Sequence, residues 1–362
     1  MLYLTGIIIT FFLAVILIGK KNKSDADHIL AIWLVCLGLH LTLFYLIFTG
    51  KYIGFPYLLG IEIPMPLVHG PLLYLYVSSL THQTAYKPHR LIHFLPALIT
   101  YLVLTPFYIL PIAQKILVYQ NNGLDFEMLL SPIRIITMIS GVVYTVLSLI
   151  KVYRHKKNIA NKFSNTEKIN LSWLLYLIMG IAFIWLVVIF GIDEYIFATV
   201  VLFVFFIGYF GIKQVGIFTS RQEDILIAPL ITTEKNKYAK SGLTEDSIND
   251  IYHELSALMQ KEKLYTDPEI TLLQLSKELD IHPNYLSQVI NTIEQKNFYD
   301  YINIQRIEEF KRIADLPGNK KFTLLSLAYE CGFNSKTSFN RNFKKQTGIS
   351  PSEYLEQKRS PD

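Results

Sequence analysis

The stretch Leu324-Leu325-Ser326-Leu327-Ala328-Tyr329-Glu330-Cys331-Gly332-Phe333-Asn334-Ser335-Lys336-Thr337-Ser338-Phe339-Asn340-Arg341-Asn342-Phe343-Lys344-Lys345-Gln346 reads as two short helices about a single glycine. Leu324 to Cys331 has the apolar spacing of a helix, Gly332 supplies the permissive backbone that a tight turn needs, and Asn334 to Gln346 forms a second helix with Phe339 and Phe343 turned inward. The outward side of that second helix offers Ser335, Lys336, Thr337, Asn340, Arg341, Lys344 and Lys345. A helix pair of this size with a polar, basic second member suits the major groove of a duplex.

The same arrangement stands upstream. Leu272 to Leu279 is helix-like, Asp280 and Ile281 make a turn, and His282 and Pro283 read as the cap and first position of a helix running to about Thr292. Leu286, Val289 and Ile290 are expected inward, leaving Asn284, Tyr285, Ser287, Gln288 and Asn291 outward. Between the two units, Asn297 to Asp315 reads as one helix ended by Pro317 and Gly318. At about 1.5 Å per residue it is about 28 Å long, comparable to the roughly 34 Å between successive major-groove faces.

Charge is split between the units. Residues 264–316 carry a net −4 and residues 317–362 a net +4, and Gly332 to Ser352 contains no acid. Phosphate neutralisation supplies most DNA affinity, whereas base edges supply sequence information. The second unit is therefore expected to grip the backbone and the first to read bases through Asn284, Ser287 and Gln288. Arg341 has the planar fork that pairs with guanine O6 and N7, and Asn340 can pair with adenine or touch a phosphate. The plainer alternative for each is a solvated side chain on an exposed helix.

Working outward to the N-terminus, the solvent changes. The chain of 362 residues is 51% hydrophobic and 14% aromatic, with mean hydropathy +0.32, and nearly all the excess precedes residue 213. A membrane helix needs about 20 apolar residues. Seven candidates run approximately over 2–19, 29–48, 61–80, 91–111, 128–150, 171–191 and 194–213, the third crowded at its start by Pro56, Pro64, Pro66 and Pro71. Loops after the first, third and fifth spans hold Lys20, Lys21, Lys23, Lys87, Arg90, Lys151, Arg154, Lys156, Lys157, Lys162 and Lys168, whereas the opposite loops hold Lys51 and Lys115. Positive residues stay cytoplasmic, so the N-terminus is expected outside and everything after residue 213 inside. No positive charge precedes Leu2 to Ile18, which reads as a retained span and not a cleaved leader. Cys36 and Cys331 suggest no disulfide.

The expected fold is therefore all-α: a seven-helix transmembrane bundle over 1–213, a cytoplasmic linker and amphipathic helix over 214–263, and a soluble domain with two helix-turn-helix units over 264–362. The amphipathic helix places Ile248, Ile251, Leu255, Leu258 and Met259 at spacings of three and four. It reads either as a short stalk pairing two copies into a homodimer or as a helix packed on the next domain.

Residues 265–357 resemble the AraC/XylS-type regulators. The resemblance rests on Gly332 to Lys345 as quoted, on Thr347-Gly348-Ile349-Ser350-Pro351-Ser352-Glu353-Tyr354, and on Tyr285-Leu286-Ser287 and Phe298-Tyr299-Asp300-Tyr301-Ile302-Asn303 with Arg306-Ile307. His282 stands where that family often has Ser, and Ile290-Asn291 replaces an aromatic-basic pair. The apolar half is similar, through His69-Gly70-Pro71-Leu72-Leu73-Tyr74, to seven-helix sensors attached to such domains in bacteria. The resemblance implies a transcription regulator in the bacterial cytoplasmic membrane, multi-pass, with double-stranded DNA, the lipid bilayer and a signal molecule or protein as partners.

Ionisable groups inside spans usually face a cavity. Glu62, His69 and Arg134 are the candidates for sensing, with His40 beside them. The plainer readings are that Arg134 snorkels to headgroups, Glu62 sits in water and the histidines are hydrogen-bonded interior groups. No metal-ligand spacing, phosphate-binding glycine loop or activated nucleophile emerges, so no enzyme, metal or cofactor is expected. A transporter or channel with the helix-turn-helix tail as regulatory adaptor is the alternative, and a passive anchor is a third.

Overall fold

The computed structural model describes residues 2–81, 88–167, 169–191, 193–213, 243–319 and 321–359. The fold is all-α; among the described residues the sole β feature is an isolated bridge between Phe163 and Thr271. The chain divides into two compact units, one of residues 1–153 and 172–232, the other of residues 154–171 and 233–362.

In the first unit α1 (Leu2–Gly19) packs on α2 (Asp25–Phe48), which contacts α3 (Pro66–Leu80). Ser24 caps α2 through a reciprocal box with Asp27, and Asp27 also receives Lys20 at 2.9 Å, closing the turn between the two helices. The stretch expected to open the third span is instead a series of turns over 59–65, and α3 begins at Pro66, whose fixed φ suits a first helical position. The fourth expected span is broken. A 3-10 segment, Pro88–Phe94, leads into α4 (Leu95–Val103), α5 (Thr105–Tyr108) follows, and α6 (Ile112–Gln120) starts after Pro111. Pro106 has no N–H for the Leu102 carbonyl, and the Thr105 hydroxyl donates to that carbonyl at 2.6 Å instead.

The fifth helix, α7 (Glu127–Ala160), continues past Lys151, since lysine and arginine end an apolar run but are good helix formers. Then α8 (Ser172–Phe190) packs on α9 (Asp193–Lys213), and α9 returns to α1. Of these, α2, α7 and α8 are long and apolar enough to cross a membrane, and shorter apolar helices cover Tyr3–Gly19, Leu91–Val103 and Tyr195–Gly208. Small residues let helices approach closely: a Cβ on Gly141 of α7 would lie 2.0 Å from the Trp185 ring of α8. Buried hydroxyls return to their own helix, Thr10 to Gly6 O and Thr145 to Gly141 O, both at 2.7 Å.

The second unit is built on α13 (Phe298–Ala314), capped by Asn297. Before it stand α10 (Glu245–Glu262), α11 (Leu272–Glu278) and α12 (Pro283–Glu294); after it, α14 (Leu324–Glu330), α15 (Lys336–Thr347) and α16 (Pro351–Arg359). One core gathers Leu255 and Met259 of α10 with Leu275, Leu286, Ile290 and the Phe298 end of α13. The other gathers Phe310, Leu327, Phe333, Phe339 and Phe343 about its far end. One helix thus serves as the spine of both helix-turn-helix units.

Two boundaries differ from those expected. Helix α10 spends its apolar stripe inside the first core, so the packing alternative describes it and it belongs with the domain that follows. Residues 154–171, expected to be a loop of the bundle, belong to the second unit. The expected linker over 214–242 lies outside the described residues.

Candidate nucleic-acid interface and apolar cavity

Each helix-turn-helix is closed by local chemistry. Thr271 caps α11 in a box with Gln274, Asp280 takes φ +50° in the turn, and the His282 side chain accepts from Asn284 N to start α12. In the second unit Thr323 caps α14, and Gly332 takes φ +95° with its Cα against backbone: a Cβ there would meet Tyr265 O at 2.5 Å. Only glycine fits this turn. Ser335 then caps α15 by accepting from Ser338 N, which is why the helix begins at Lys336 and not at Asn334.

The structure sorts the expected DNA-reading residues. Lys336, Thr337, Asn340, Arg341, Lys344 and Lys345 are all exposed on α15. Two of them are oriented by the start of α13: Arg341 donates to the Tyr299 hydroxyl at 2.9 Å, and Lys345 pairs with Asp300 at 2.6 Å. On α12 Tyr285 is exposed and Asn284 half-buried. Ser287, expected outward, is buried at 3% exposure, and the half-buried Asn291 donates to its backbone carbonyl. A serine is small enough to sit in a close helix contact, so polarity alone misplaces it. Gln288 is also half inside, its Oε1 buried without a hydrogen-bond partner among the described residues.

Three buried polar residues were given no structural role by the sequence. Asn342 of α15 donates to Tyr299 at 2.7 Å. Asn303 and Arg306 of α13 are both 2% exposed. Arg306 donates to Tyr265 O at 2.7 Å, Asp267 O at 2.8 Å and Ser164 Oγ at 3.2 Å, and stacks over Phe333. Its burial pushes the guanidinium down to about 10, so it remains charged at neutral pH. The signal available was an arginine where the α13 pattern calls for an apolar side chain.

Ser164 introduces the segment that the sequence assigned to the bundle. Leu272 N donates to Lys162 O at 2.9 Å, Ser164 donates to Ile270 O through both N and Oγ, and Asn303 donates to Ser164 O. Farther along, Asn165 donates to Glu269, and Ser335 Oγ donates to Glu167 at 2.8 Å. An acidic side chain therefore sits at the N-terminus of α15, where backbone N–H groups favour an anion.

In the first unit, Glu62, His69 and Arg134 all line one cavity of about 680 Å3, together with His40 and Trp33. Glu62 is buried, not in water; it accepts from Gly60 N at 3.0 Å and from the Tyr119 hydroxyl. Arg134 pairs with Glu127 on its own helix. His40 and His69 stack at 5.2 Å and share a hydrogen bond of 2.9 Å, and Trp33 donates to His69 Nδ1 at 3.2 Å. That pairing uses both ring nitrogens of His69. Among the described residues no group of three or more His, Cys, Asp or Glu is placed to hold a metal.

Comparison with known proteins bears on the second unit. Residues 275–357 match a family model described as a helix-turn-helix domain. Over 119 residues the chain is 26% identical to YtdP of Bacillus subtilis, and over 88 residues 34% identical to YijO of Escherichia coli, both named as HTH-type transcriptional regulators. These stretches are 33% and 24% of this chain, and 14% and 30% of the relatives. The chain thus spans less than a third of either relative's length. No solved structure matches it.

Proposed function

We infer that this chain, whose residues 275–357 form a helix-turn-helix domain of the AraC type, is a membrane-embedded, sequence-specific regulator of transcription. The observation that carries the reading is the incorporation of residues 154–171 into the DNA-binding unit. That segment comprises the last turns of α7 and the loop that leads to α8, two helices with the length and apolarity of membrane spans. A bundle that only anchored the tail would need no such segment in the core of the DNA reader.

In this reading the apolar helices cross the bacterial cytoplasmic membrane with the N-terminus outside and the second unit in the cytoplasm. Basic α15 grips phosphate and presents Arg341 and Asn340 to base edges, while Asn284 and Tyr285 of α12 contact a neighbouring groove. Glu167 occupies the anion-favouring end of α15 in place of a DNA phosphate, so a signal that withdraws the segment releases the recognition helix. The first unit is the sensor and its cavity the place where the signal acts.

Selection of a genomic DNA library by the full chain in lipid nanodiscs, at fixed salt, tests the assignment. A defined motif is expected, and Arg341→Ala should abolish its enrichment; enrichment indifferent to Arg341 would sink the recognition role. Glu167→Ala should tighten binding to the selected site several-fold. Unchanged or weaker binding would remove the segment from the regulatory path.

A further inference from the structure

Arg341, exposed on α15, is tied to a side chain of another helix. Its Nη2 donates to the Tyr299 hydroxyl of α13 at 2.9 Å. The same oxygen accepts from Asn342 Nδ2 at 2.7 Å, and that nitrogen also donates to the Ser338 carbonyl at 2.9 Å. Because a carbonyl can only accept, the Asn342 amide turns its nitrogen to that side, and each of its two hydrogens has a partner. Asn342 is 4% exposed and bonded to the backbone of its own helix, so it has little room to move. The phenol is thus held by a buried group, and the guanidinium is held by the phenol. One turn farther along α15, Lys345 is paired with Asp300, the next residue of α13, which in turn receives Asn297 Nδ2 at 3.2 Å.

A long exposed arginine samples many rotamers, and a base edge that engages it must first select one. A partner that selects the rotamer beforehand lowers that cost and narrows the directions in which the fork can point. The bond to Tyr299 uses one hydrogen of Nη2, leaving the other N–H groups of the fork for the O6 and N7 of a guanine. Tyr299 itself is poorly suited to hold a phosphate. It carries no charge, and Asp300 beside it in sequence brings a negative one to this end of α13.

We propose that Tyr299 is a specificity-determining positioning residue: its hydroxyl, fixed by Asn342, holds Arg341 in the orientation that reads one base pair. The spine helix α13 then shapes the sequence preference of α15 without touching DNA. This deepens the base-reading role of Arg341 and rests on it.

The experiment uses the full chain in nanodiscs and the DNA motif it selects, with each base pair of the motif changed in turn. Comparison of the unaltered chain with Arg341→Ala identifies the base pair that Arg341 discriminates. Tyr299→Phe keeps the ring and removes the hydroxyl. It is expected to cut discrimination at that base pair on the order of threefold to tenfold, the worth of one net hydrogen bond, with the other base pairs discriminated as before. The dependence of affinity on salt should not change, because no phosphate contact is lost. On the Arg341→Ala background Tyr299→Phe should have no further effect, since the side chain it positions is gone.

Full discrimination in Tyr299→Phe, at a base pair where Arg341→Ala abolishes it, would overturn the proposal and leave Arg341 as a base reader. So would a loss spread evenly over all base pairs, or one that persists on the Arg341→Ala background, either of which marks a structural role. A shallower salt dependence would assign Tyr299 to a phosphate and overturn the proposal as well. No selected motif, or one indifferent to Arg341, would sink the base-reading role, and the positioning role with it.

Discussion

The two units invert each other's surface. Along the first, exposed positions are apolar: Ile8, Phe12 and Val15 on α1, Ile135 and Ile139 on α7, Phe183 and Leu186 on α8, each exposed by about half or more. In the second, the large exposed hydrophobics among the described residues are Tyr285, Leu316, Phe322 and Tyr329. Their interiors are inverted as well. The first unit keeps Glu62, His40 and His69 around a cavity, whereas the second packs phenylalanines tightly and buries one arginine. On the proposed membrane reading two solvents account for the difference: a side chain exposed to hydrocarbon gains nothing from polarity, so polar groups there collect inside, where they find one another.

The strongest way to break that comparison is to attack the buried arginine. Arg306→Leu removes the donors to Tyr265 O and Asp267 O and leaves the Tyr265 carbonyl buried without its partner, at about 1–3 kcal/mol. Hydrogen exchange on the full chain should show lost protection across residues 154–171 and α10 to α16, with the helices of the first unit unchanged. Parallel loss in both units would mean that they are not independently stabilised. A smaller effect in the opposite unit is expected from Gly141→Ala, whose added methyl collides with Trp185. Overpacking of this kind costs about 1–3 kcal/mol. It should lower the melting temperature of the first unit in nanodiscs and shift Trp185 emission; an unaltered spectrum would mean that α7 and α8 separate without penalty.

Sequence periodicity located most helices of both units to within a few residues, because an apolar run and a 3.6-residue stripe are local properties. Caps were legible too, as at His282-Pro283. The fourth span was not, since Pro106 and Pro111 break it through single missing N–H groups inside an otherwise continuous apolar stretch. The site was legible on α15, where every outward basic residue proved exposed, and less so on α12, where Ser287 fits a tight contact that no polarity scale reports. Least visible was the segment around Ser164. Its lysines suit positive-inside anchoring, and its attachment to Ile270, Asn303 and Arg306 joins residues more than a hundred positions apart. The sequence marked His40 and His69 as candidate interior groups, but not that they bond to each other, since 29 positions separate them and no spacing rule links them.

The smallest effect expected tests whether charge on the second unit is ordinary surface chemistry. Glu309 of α13 accepts from Arg312 at 2.8 Å and from Lys263 at 2.8 Å, and these partners, Arg312 foremost, hold its carboxylate down to about 2. A carboxylate depressed in the folded state adds stability above its unfolded value of about 4.5, and that contribution is lost as pH falls toward 2. Because the group is near the surface, the gain is of the order of 0.3–1 kcal/mol and screened by salt. Denaturant unfolding of the second unit should therefore weaken between about pH 4.5 and 2 in the unaltered chain, and Glu309→Gln should flatten part of that slope at low salt. A slope identical in both would mean that Lys263 and Arg312 are satisfied equally well by water, and that the second unit's surface charge serves DNA rather than the fold.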